Sequence, residues 1–203
     1  MNARLIYLHD PMCSWCWGFK PTWEKVKTSL PEGISYTNIL GGLAPDSNEP
    51  MPDELRQMIR STWQTIHQQL GTPFNFDFWE ECEPRRSTYP ACRAVLAAAE
   101  QGAEEAMILA IQEGYYLNAQ NPSDEEVLVR FAEALGLNIP KFREHLQSSL
   151  INTHLMEHIQ IYQQLPARGF PSLVLLKDDQ AIPLALNYQS SEKILAEIND
   201  HIQ

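Results

Sequence analysis

The chain has 203 residues, of which 44% are hydrophobic and 20% are charged, a composition that favours one globular domain, or one domain with a large insertion, over a disordered chain. Its formal net charge is −11, from 26 acidic and 15 basic residues. This acidity argues against a nucleic-acid partner and against docking on anionic membranes, since both require a concentrated basic surface.

The first forty residues have the pattern of a strand, a helix and a second strand. Residues 4–8 form a short apolar run of the length expected for a buried strand. Apolar residues then recur at helical spacing up to about residue 30, and residues 34–40 alternate as a second strand would. This order predicts a parallel pair of strands joined by a right-handed crossover.

A long helical segment follows this unit. Residues 43–52 contain three prolines and are interpreted as a linker, and residues 53–165 predict helices separated by short breakers. Within this segment, Ser87 or Thr88 is expected to cap the helix that contains Cys92.

The strand pattern returns near the carboxyl end of the chain. Residues 172–176 and 181–186 predict a hairpin, and Pro183 puts the second strand at a sheet edge because proline cannot donate to a ladder. An amphipathic helix is predicted from Ser190 onward. The predicted order is therefore β-α-β, then helices, then β-β-α.

The amino-terminal residues bear on localisation. A secretion signal needs a basic start and a longer apolar run than this one, which ends at His9-Asp10-Pro11. No segment approaches the ~20 apolar residues of a membrane span. We therefore expect a cytoplasmic protein without a membrane partner, and a trimmed signal is the alternative that the sequence leaves open.

The sequence Cys13-Ser14-Trp15-Cys16 comes directly after the first strand and opens the predicted helix. The first thiol then lies at the positive end of a helix, beside unpaired backbone N–H groups that favour its thiolate. The second thiol lies one turn further on, close enough to form a disulfide. We therefore predict that Cys13 is the attacking thiol and Cys16 the resolving thiol.

A C-x-x-C pair also supplies half of many zinc sites. The other cysteines, Cys82 and Cys92, do not form a second such pair. Cys92 has the spacing of a small core residue, and Cys82 lies among acidic residues that should raise its pKa. A disulfide between the two is compatible with their spacing, but the expected cytoplasmic compartment disfavours it. His154 and His158 are four residues apart, but no further ligand motif accompanies them. The strand–helix context favours a redox pair and no metal.

Several stretches resemble the cytoplasmic DsbA-like proteins related to FrnE, a branch of the thioredoxin superfamily. Residues 10–19 (DPMCSWCWGF), 90–94 (PACRA) and 169–172 (GFPS) are similar to stretches of that group. Pro21 follows the cysteine pair at the offset where many family members carry a helical proline. The resemblance covers essentially the whole chain.

The resemblance implies an α/β fold, with a thioredoxin-like β-α-β…β-β-α core and a large all-helical insertion. The core would comprise residues 1–45 and 166–203, and the insertion residues 46–165. Pro171 would follow a cis peptide bond, face the disulfide and border a strand edge that pairs with an extended substrate. Met12, Trp15 and Phe170 are the side chains expected to line the substrate groove.

The resemblance also implies dithiol–disulfide exchange with thiol- or disulfide-containing proteins or small thiols. No cofactor would be built in, so glutathione or a thioredoxin-type system would recycle the pair. The Ser-Trp dipeptide lacks the histidine of periplasmic DsbA, which argues against a dedicated oxidase and favours a protein disulfide reductase or isomerase.

Two other functions stay open. A related branch with the same insertion isomerises small molecules with glutathione, although its members typically have serine where Cys13 stands and lack the second cysteine. The other alternative is a non-catalytic holdase or binding module that uses the same groove.

Two polar residues next to the cysteine pair, and an arginine two residues before Phe170, have two interpretations each. His9 and Asp10 could shuttle protons, and Arg168 could attract an anionic substrate. The simpler interpretations are polar residues at a strand end and an exposed arginine in a loop.

Overall fold

The centre of the molecule is one mixed sheet of four strands, found in a computed structural model that describes residues 3–202. The outermost positions of the predicted core segments, residues 1, 2 and 203, lie outside this range. The strand order is β2-β1-β3-β4. The strands are β1 (Ala3–His9), β2 (Ser35–Leu40), β3 (Ser172–Lys177) and β4 (Gln180–Leu184).

The pairing of the strands agrees with the predicted β-α-β and β-β-α units. β1 runs parallel to β2 and antiparallel to β3, and β3 and β4 form an antiparallel hairpin. β1 is buried along nearly all of its length because it lies between two strands and is covered by helices. Pro183 lies in β4, at the predicted edge of the sheet.

The second strand of the hairpin lies earlier in the chain than residues 181–186. Lys177 pairs with Gln180, so the turn holds only two residues, and Asp178 adopts a left-handed φ of 52° in it. Ala185 leaves the strand and donates its amide to the Glu197 carboxylate. The tight turn starts β4 at Gln180, and the contact of Ala185 with Glu197 ends it at Leu184. The predicted bounds of this strand, residues 181–186, are therefore wrong by one or two residues at each end.

Helices account for most of the rest of the described chain. The first and last of them, α1 (Ser14–Thr28) and α9 (Ser191–Ile202), pack against each other and against the sheet. The helices between β2 and β3 are α2 (Asp53–Leu70), α3 (Phe78–Glu81), α4 (Tyr89–Ala99), α5 (Glu104–Leu117), α6 (Glu125–Ala134), α7 (Ile139–Leu146) and α8 (Ser149–Gln164). We call α2–α8 the helical block.

That residues 46–165 form a domain of their own stays a prediction. Within residues 3–202, no helix has both the length and the apolar character that crossing a bilayer requires.

The helical block has an aromatic core that reaches the start of α1. Trp63 of α2 is fully buried at its centre, and its ring lies 4.9 Å from Trp79 and 5.3 Å from Tyr116. The Trp63 indole N–H donates a 2.9 Å hydrogen bond to the Ser14 hydroxyl. Trp17 belongs to the same core. The helical block therefore packs directly against the first turn of α1.

The opposite side of α1 packs against the sheet. Phe19 and Trp23 are buried there, in a cluster with Leu5, Leu173 and Ile194. Burying an aromatic side chain of this size contributes about 1.5–3 kcal/mol to folding. Trp17 and Trp23 are thus both core residues, but the two side chains belong to different clusters on opposite sides of the helix.

Candidate active site

The Cys13–Cys16 pair lies where β1 ends and α1 begins. A turn carries the chain away from the sheet, and it is closed by a 3.0 Å bond from the Cys13 amide to the Asp10 carbonyl. Cys13 is the N-cap residue of α1 and has an extended backbone. Its thiol is therefore close to the amino-terminal end of the helix.

The two thiols differ in their access to solvent. Cys13 is 7% exposed, whereas Cys16 is completely buried. Burial raises the pKa of Cys16 well above its ordinary value, and the adjacent Cys13 raises it further. A reagent or substrate can thus reach Cys13 first, and Cys16 is held as a protonated thiol behind it.

Tyr7 approaches the pair from β1, and the sequence interpretation did not single it out. Burial raises its pKa, and the charges of Cys16 and Cys13 and a hydrogen bond to Cys16 add to the rise. Its ring stacks on Trp23 at 4.3 Å. Alternation along β1 predicts only that Tyr7 faces a core, because its contact with Cys16 depends on how α1 crosses the sheet.

The segment before β3 closes the other side of the site. The Phe170–Pro171 peptide bond is cis, as the resemblance implies. The Cys13 thiol donates to the Phe170 carbonyl oxygen at 3.4 Å. The Phe170 ring lies directly over Gly41, where a Cβ atom would come within 1.8 Å of it, and packs against Tyr162. A glycine at position 41 is therefore what allows Phe170 to lie beside the thiol.

A groove of about 260 Å³ opens beside Cys13, and we call it the Cys13 groove. It brings together Cys13, Met12, Trp15 and Phe170, the side chains expected there. Residues that the sequence interpretation missed complete its lining, namely Ser14, Leu43, Met51, Ile59, Thr62, Arg85, Arg86, Thr88 and Tyr115. Most of these belong to the helical block or its linkers, so only the packing of that block brings them to the thiol. A more open depression of about 760 Å³ lies between α6 and α8, away from the thiols.

Asp10 is a fully buried carboxylate behind this groove. It accepts hydrogen bonds from the amides of Met12 and Leu43, both at 2.8 Å, from the Thr88 hydroxyl at 2.7 Å and from the Cys92 thiol at 3.6 Å. Burial raises its pKa, and these hydrogen bonds oppose the rise. The carboxylate thus ties the turn before Cys13 to the helical block. Cys92 is in the core as predicted, and it also contacts this carboxylate.

The predicted cap of α4 is wrong. Thr88 does occupy the position before the helix, but its hydroxyl donates to the buried Asp10 carboxylate and accepts from the Ala44 amide. The Ser87 hydroxyl accepts from the Ser47 amide. A capping hydroxyl oxygen would accept from a backbone N–H of the first helical turn. The Thr88 oxygen accepts from the Ala44 amide instead, while its proton is donated to the Asp10 carboxylate.

His9 is buried and unsuited to proton transfer near neutral pH. Burial lowers its pKa to about 4, so its ring is neutral at pH 7. The ring stacks on Tyr7 at 4.8 Å, and neither ring nitrogen has a hydrogen-bond partner within residues 3–202. The structure therefore favours a packing role for His9.

The remaining candidate residues lie apart from the pair. All four cysteines are free thiols, so the Cys82–Cys92 disulfide is not formed. Burial is the main cause of the raised pKa of Cys82, and the neighbouring carboxylates are a smaller cause.

The histidines and Arg168 also lie apart from the thiol pair. The imidazole of His158 accepts from the Leu40 amide at 3.2 Å. A search of residues 3–202 for three or more grouped metal ligands finds none. Arg168 is exposed and is not among the described residues that line the Cys13 groove.

Comparison with curated proteins gives distant relatives. The chain is 26% identical over 176 residues to the ClpXP adapter protein SpxH of Halalkalibacterium halodurans. The match covers 84% of this chain and 57% of that protein. The chain thus spans little more than half the length of this relative.

Comparison with solved structures gives close matches of fold. A candidate protein disulfide isomerase from Nitrosomonas europaea superposes with a TM-score of 0.86 at 27% identity, over 100% of this chain and 98% of that one. The cytosolic disulfide reductase DsbM of Pseudomonas aeruginosa superposes with a TM-score of 0.79 at 24% identity, over 98% of each chain. A second structure of DsbM, determined with GSH, superposes on this chain with a TM-score of 0.78.

The family model described as Thioredoxin matches residues 7–194, which include the cysteine pair, the helical block and the cis-proline. The four-stranded sheet, the C-x-x-C pair at the start of α1 and the helices between β2 and β3 agree with that match. The chain therefore belongs to the thioredoxin family, with the DsbA-like arrangement of a thioredoxin-like core and inserted helices.

Proposed function

We propose that this protein is a thiol–disulfide oxidoreductase of the protein disulfide reductase or isomerase type, with Cys13 and Cys16 as its redox pair. One observation carries the proposal. The Cys13 thiol lies at the start of α1, lines a groove and contacts the Phe170 carbonyl, while Cys16 is buried one turn behind it. This is the arrangement that a two-step exchange requires.

In the first step, the Cys13 thiolate attacks a substrate disulfide. One sulfur–sulfur bond forms between Cys13 and the substrate, and the substrate's own bond breaks to release a thiolate, which takes a proton from water. Cys16 then loses its proton and attacks Cys13, so that the second substrate sulfur leaves as a thiol. Two electrons pass from the dithiol to the substrate, and the reverse sequence oxidises a substrate dithiol.

The shape of the groove supports a substrate segment that lies beside the Phe170–Pro171 backbone. Pro171 has no N–H, so the backbone beside Cys13 offers the Phe170 carbonyl as an acceptor. Met12, Trp15 and Phe170 add an apolar surface next to the reacting sulfur. An extended chain could bind the carbonyl through its amide and put its sulfur against Cys13.

We include the recycling partner and the compartment in the proposal. Glutathione or a thioredoxin-type system would restore the dithiol, with no built-in cofactor. The similarity to the cytosolic disulfide reductase DsbM, whose structure is also known with GSH, supports a small-thiol partner and a cytoplasmic site of action.

Insulin reduction by the double variant Cys13→Ser, Cys16→Ser tests the proposal. We expect the variant to lose all activity above the uncatalysed rate, because serine cannot form the mixed disulfide. Cys82→Ser, which changes a thiol outside the Cys13 groove, is the matched control and should keep full activity. Insulin reduction by a folded double variant would contradict the thiol mechanism.

An adapter role is the second candidate function, because the curated relative is named a ClpXP adapter protein. Such a role requires a protein-binding surface rather than a redox pair. The double cysteine variant separates the two functions. The measurement is the degradation of a client protein by ClpXP with and without this chain. If the wild type and the double variant stimulate degradation equally well, the adapter function does not depend on the thiols or on oxidoreductase activity.

A further inference from the structure

The charge of the Cys13 groove differs from that of the chain as a whole. The chain has 26 acidic and 15 basic residues, yet the groove is lined by Arg85 and Arg86 and, within residues 3–202, by no aspartate or glutamate. Apolar side chains form much of the remaining wall. A cation beside an apolar wall attracts an anion more strongly than a cation surrounded by water.

The two arginines differ in whether their charge is already compensated. The guanidinium of Arg85 donates to the Ser123 carbonyl at 2.7 Å and forms an ion pair with Asp124. Arg86 is exposed, and in the described part of the chain it has neither an ion pair nor a hydrogen bond from its side chain. Its positive charge acts on Tyr115 across the groove, where it opposes the burial that raises the pKa of that hydroxyl. Arg86 is thus the cation available to a ligand.

We infer that Arg86 binds a carboxylate of the substrate, and that the Cys13 groove selects small thiols and disulfides that carry one. The inference rests on the proposed function and adds the class of substrate to it. The volume of about 260 Å³ lies just below the range of about 300–1,000 Å³ for pockets that hold drug-sized ligands, so it suits a smaller molecule with its sulfur at Cys13. Arg168, the arginine suggested by the sequence, is not among the described groove residues.

The step to be measured is reduction of the oxidised protein by a thiol. A substrate thiolate attacks Cys13, the Cys13–Cys16 bond breaks, and Cys16 leaves as a thiolate that takes a proton from water. A second substrate thiolate then attacks the mixed disulfide and releases Cys13 as a thiolate. In total, two thiols lose two protons and two electrons and become one disulfide, while the protein disulfide becomes a dithiol.

The test compares 3-mercaptopropionate, which carries a carboxylate, with 2-mercaptoethanol, which is neutral. Reduction of the oxidised protein is stopped with acid and followed by the mass shift of thiol labelling. The variants are Arg86→Gln and the control Arg130→Gln, which removes an exposed arginine of α6 outside the groove. For each protein, the rate with 3-mercaptopropionate is divided by the rate with 2-mercaptoethanol. The two thiols differ in intrinsic reactivity, but this difference is the same for every protein and cancels when the ratios of two proteins are compared.

We expect Arg86→Gln to lower this ratio about three- to fivefold, the size of an interaction with a partly exposed charge, and Arg130→Gln to leave it unchanged. The effect should shrink as salt is raised. An unchanged ratio in Arg86→Gln, with normal reduction by 2-mercaptoethanol, would overturn the inference and leave the proposed function intact. If neither thiol reduces the wild-type pair, the proposed function fails and the inference fails with it.

A third probe distinguishes a small thiol from an acidic protein segment. A peptide that carries a single cysteine between two aspartates offers the same carboxylate chemistry on a longer chain. If Arg86→Gln slows reduction by this peptide but not by 3-mercaptopropionate, Arg86 recognises a peptide, and the assignment to small thiols is wrong.

Discussion

The Cys13 thiol contacts the carbonyl oxygen of Phe170 at 3.4 Å, although 157 positions separate the two residues in the chain. This contact joins the start of α1 to the segment that leads into β3. The whole helical block lies between them in sequence. The candidate site is therefore built from both parts of the thioredoxin-like core, and the helical block supplies part of the groove lining.

Cys16→Ser is expected to trap a mixed disulfide at Cys13. The variant keeps the accessible thiol but lacks the buried one that would release the substrate. Incubation with a disulfide-containing peptide should give one covalent adduct, visible as a mass increase that a reductant reverses. Cys13→Ser is the matched variant and should give no adduct, because Cys16 is buried. An adduct on Cys13→Ser alone would reverse the proposed roles of the two thiols.

Removing the Asp10 carboxylate should destabilise the fold. In Asp10→Ala, the amides of Met12 and Leu43 lose their acceptor, and the Thr88 hydroxyl keeps only a longer contact of 3.4 Å with the Ala44 carbonyl. At about 1–3 kcal/mol for each unsatisfied group, we expect the free energy of unfolding in urea to fall by about 3 kcal/mol or more.

Asp46→Ala is the control for this experiment. It removes an exposed carboxylate that pairs with Arg93 and should cost about 1 kcal/mol or less. If both variants lose the same free energy of unfolding, the hydrogen bonds of Asp10 contribute no more to stability than a surface ion pair does.

The buried His9 gives the stability a dependence on pH. Its pKa is about 4 in the folded protein and about 6.5 in the unfolded chain, so between these values the unfolded state binds more protons. The stabilisation is therefore complete above pH 6.5 and is lost as the pH falls toward 4. We expect His9 to account for about 2 kcal/mol of the loss between pH 7 and pH 5.

His9→Phe tests this dependence because phenylalanine keeps a ring against Tyr7 but cannot titrate. Urea unfolding at the two pH values should show a smaller loss in the variant than in the wild type. The same loss in both proteins would mean that other groups, such as His158, whose pKa burial also lowers, account for the dependence.

Gly41→Ala should disturb the groove through Phe170. The new methyl group would come within 1.8 Å of the Phe170 ring, which must move to make room. We expect the change to cost about 1–3 kcal/mol of stability and to slow exchange at Cys13. In Gly41→Ala, Phe170→Leu, the smaller side chain should relieve the clash, so the two effects on stability should not add. Additive effects would show that the ring and the methyl group do not meet.

The elements that the sequence predicted well are those with strong local patterns. The apolar runs of β1 and β3 and the alternation of β2 define the sheet. The C-x-x-C pair after a strand, together with the proline before β3, identifies the two sides of the candidate site.

The features that the sequence did not predict depend on contacts between distant parts of the chain. The local sequence predicts that the Thr88 hydroxyl caps α4. In the folded protein this hydroxyl donates to Asp10, which is 78 positions away in the chain, and no local pattern predicts that contact. Arg86 and Tyr115 reach the groove through the packing of the helical block, which no periodicity encodes. Arg168 is closer in sequence to Phe170 than Arg86 is, but proximity along the chain did not make it a groove residue.

A redox titration tests directly whether Cys13 and Cys16 act as a redox pair. The protein would be equilibrated in graded glutathione buffers, and the thiols would be counted by labelling mass shift. We expect one reversible two-electron transition that maps to these two cysteines, with a midpoint between about −270 and −180 mV, the range from thioredoxin to protein disulfide isomerase. The absence of a reversible transition, or its persistence in the double variant Cys13→Ser, Cys16→Ser, would show that Cys13 and Cys16 are not a redox pair.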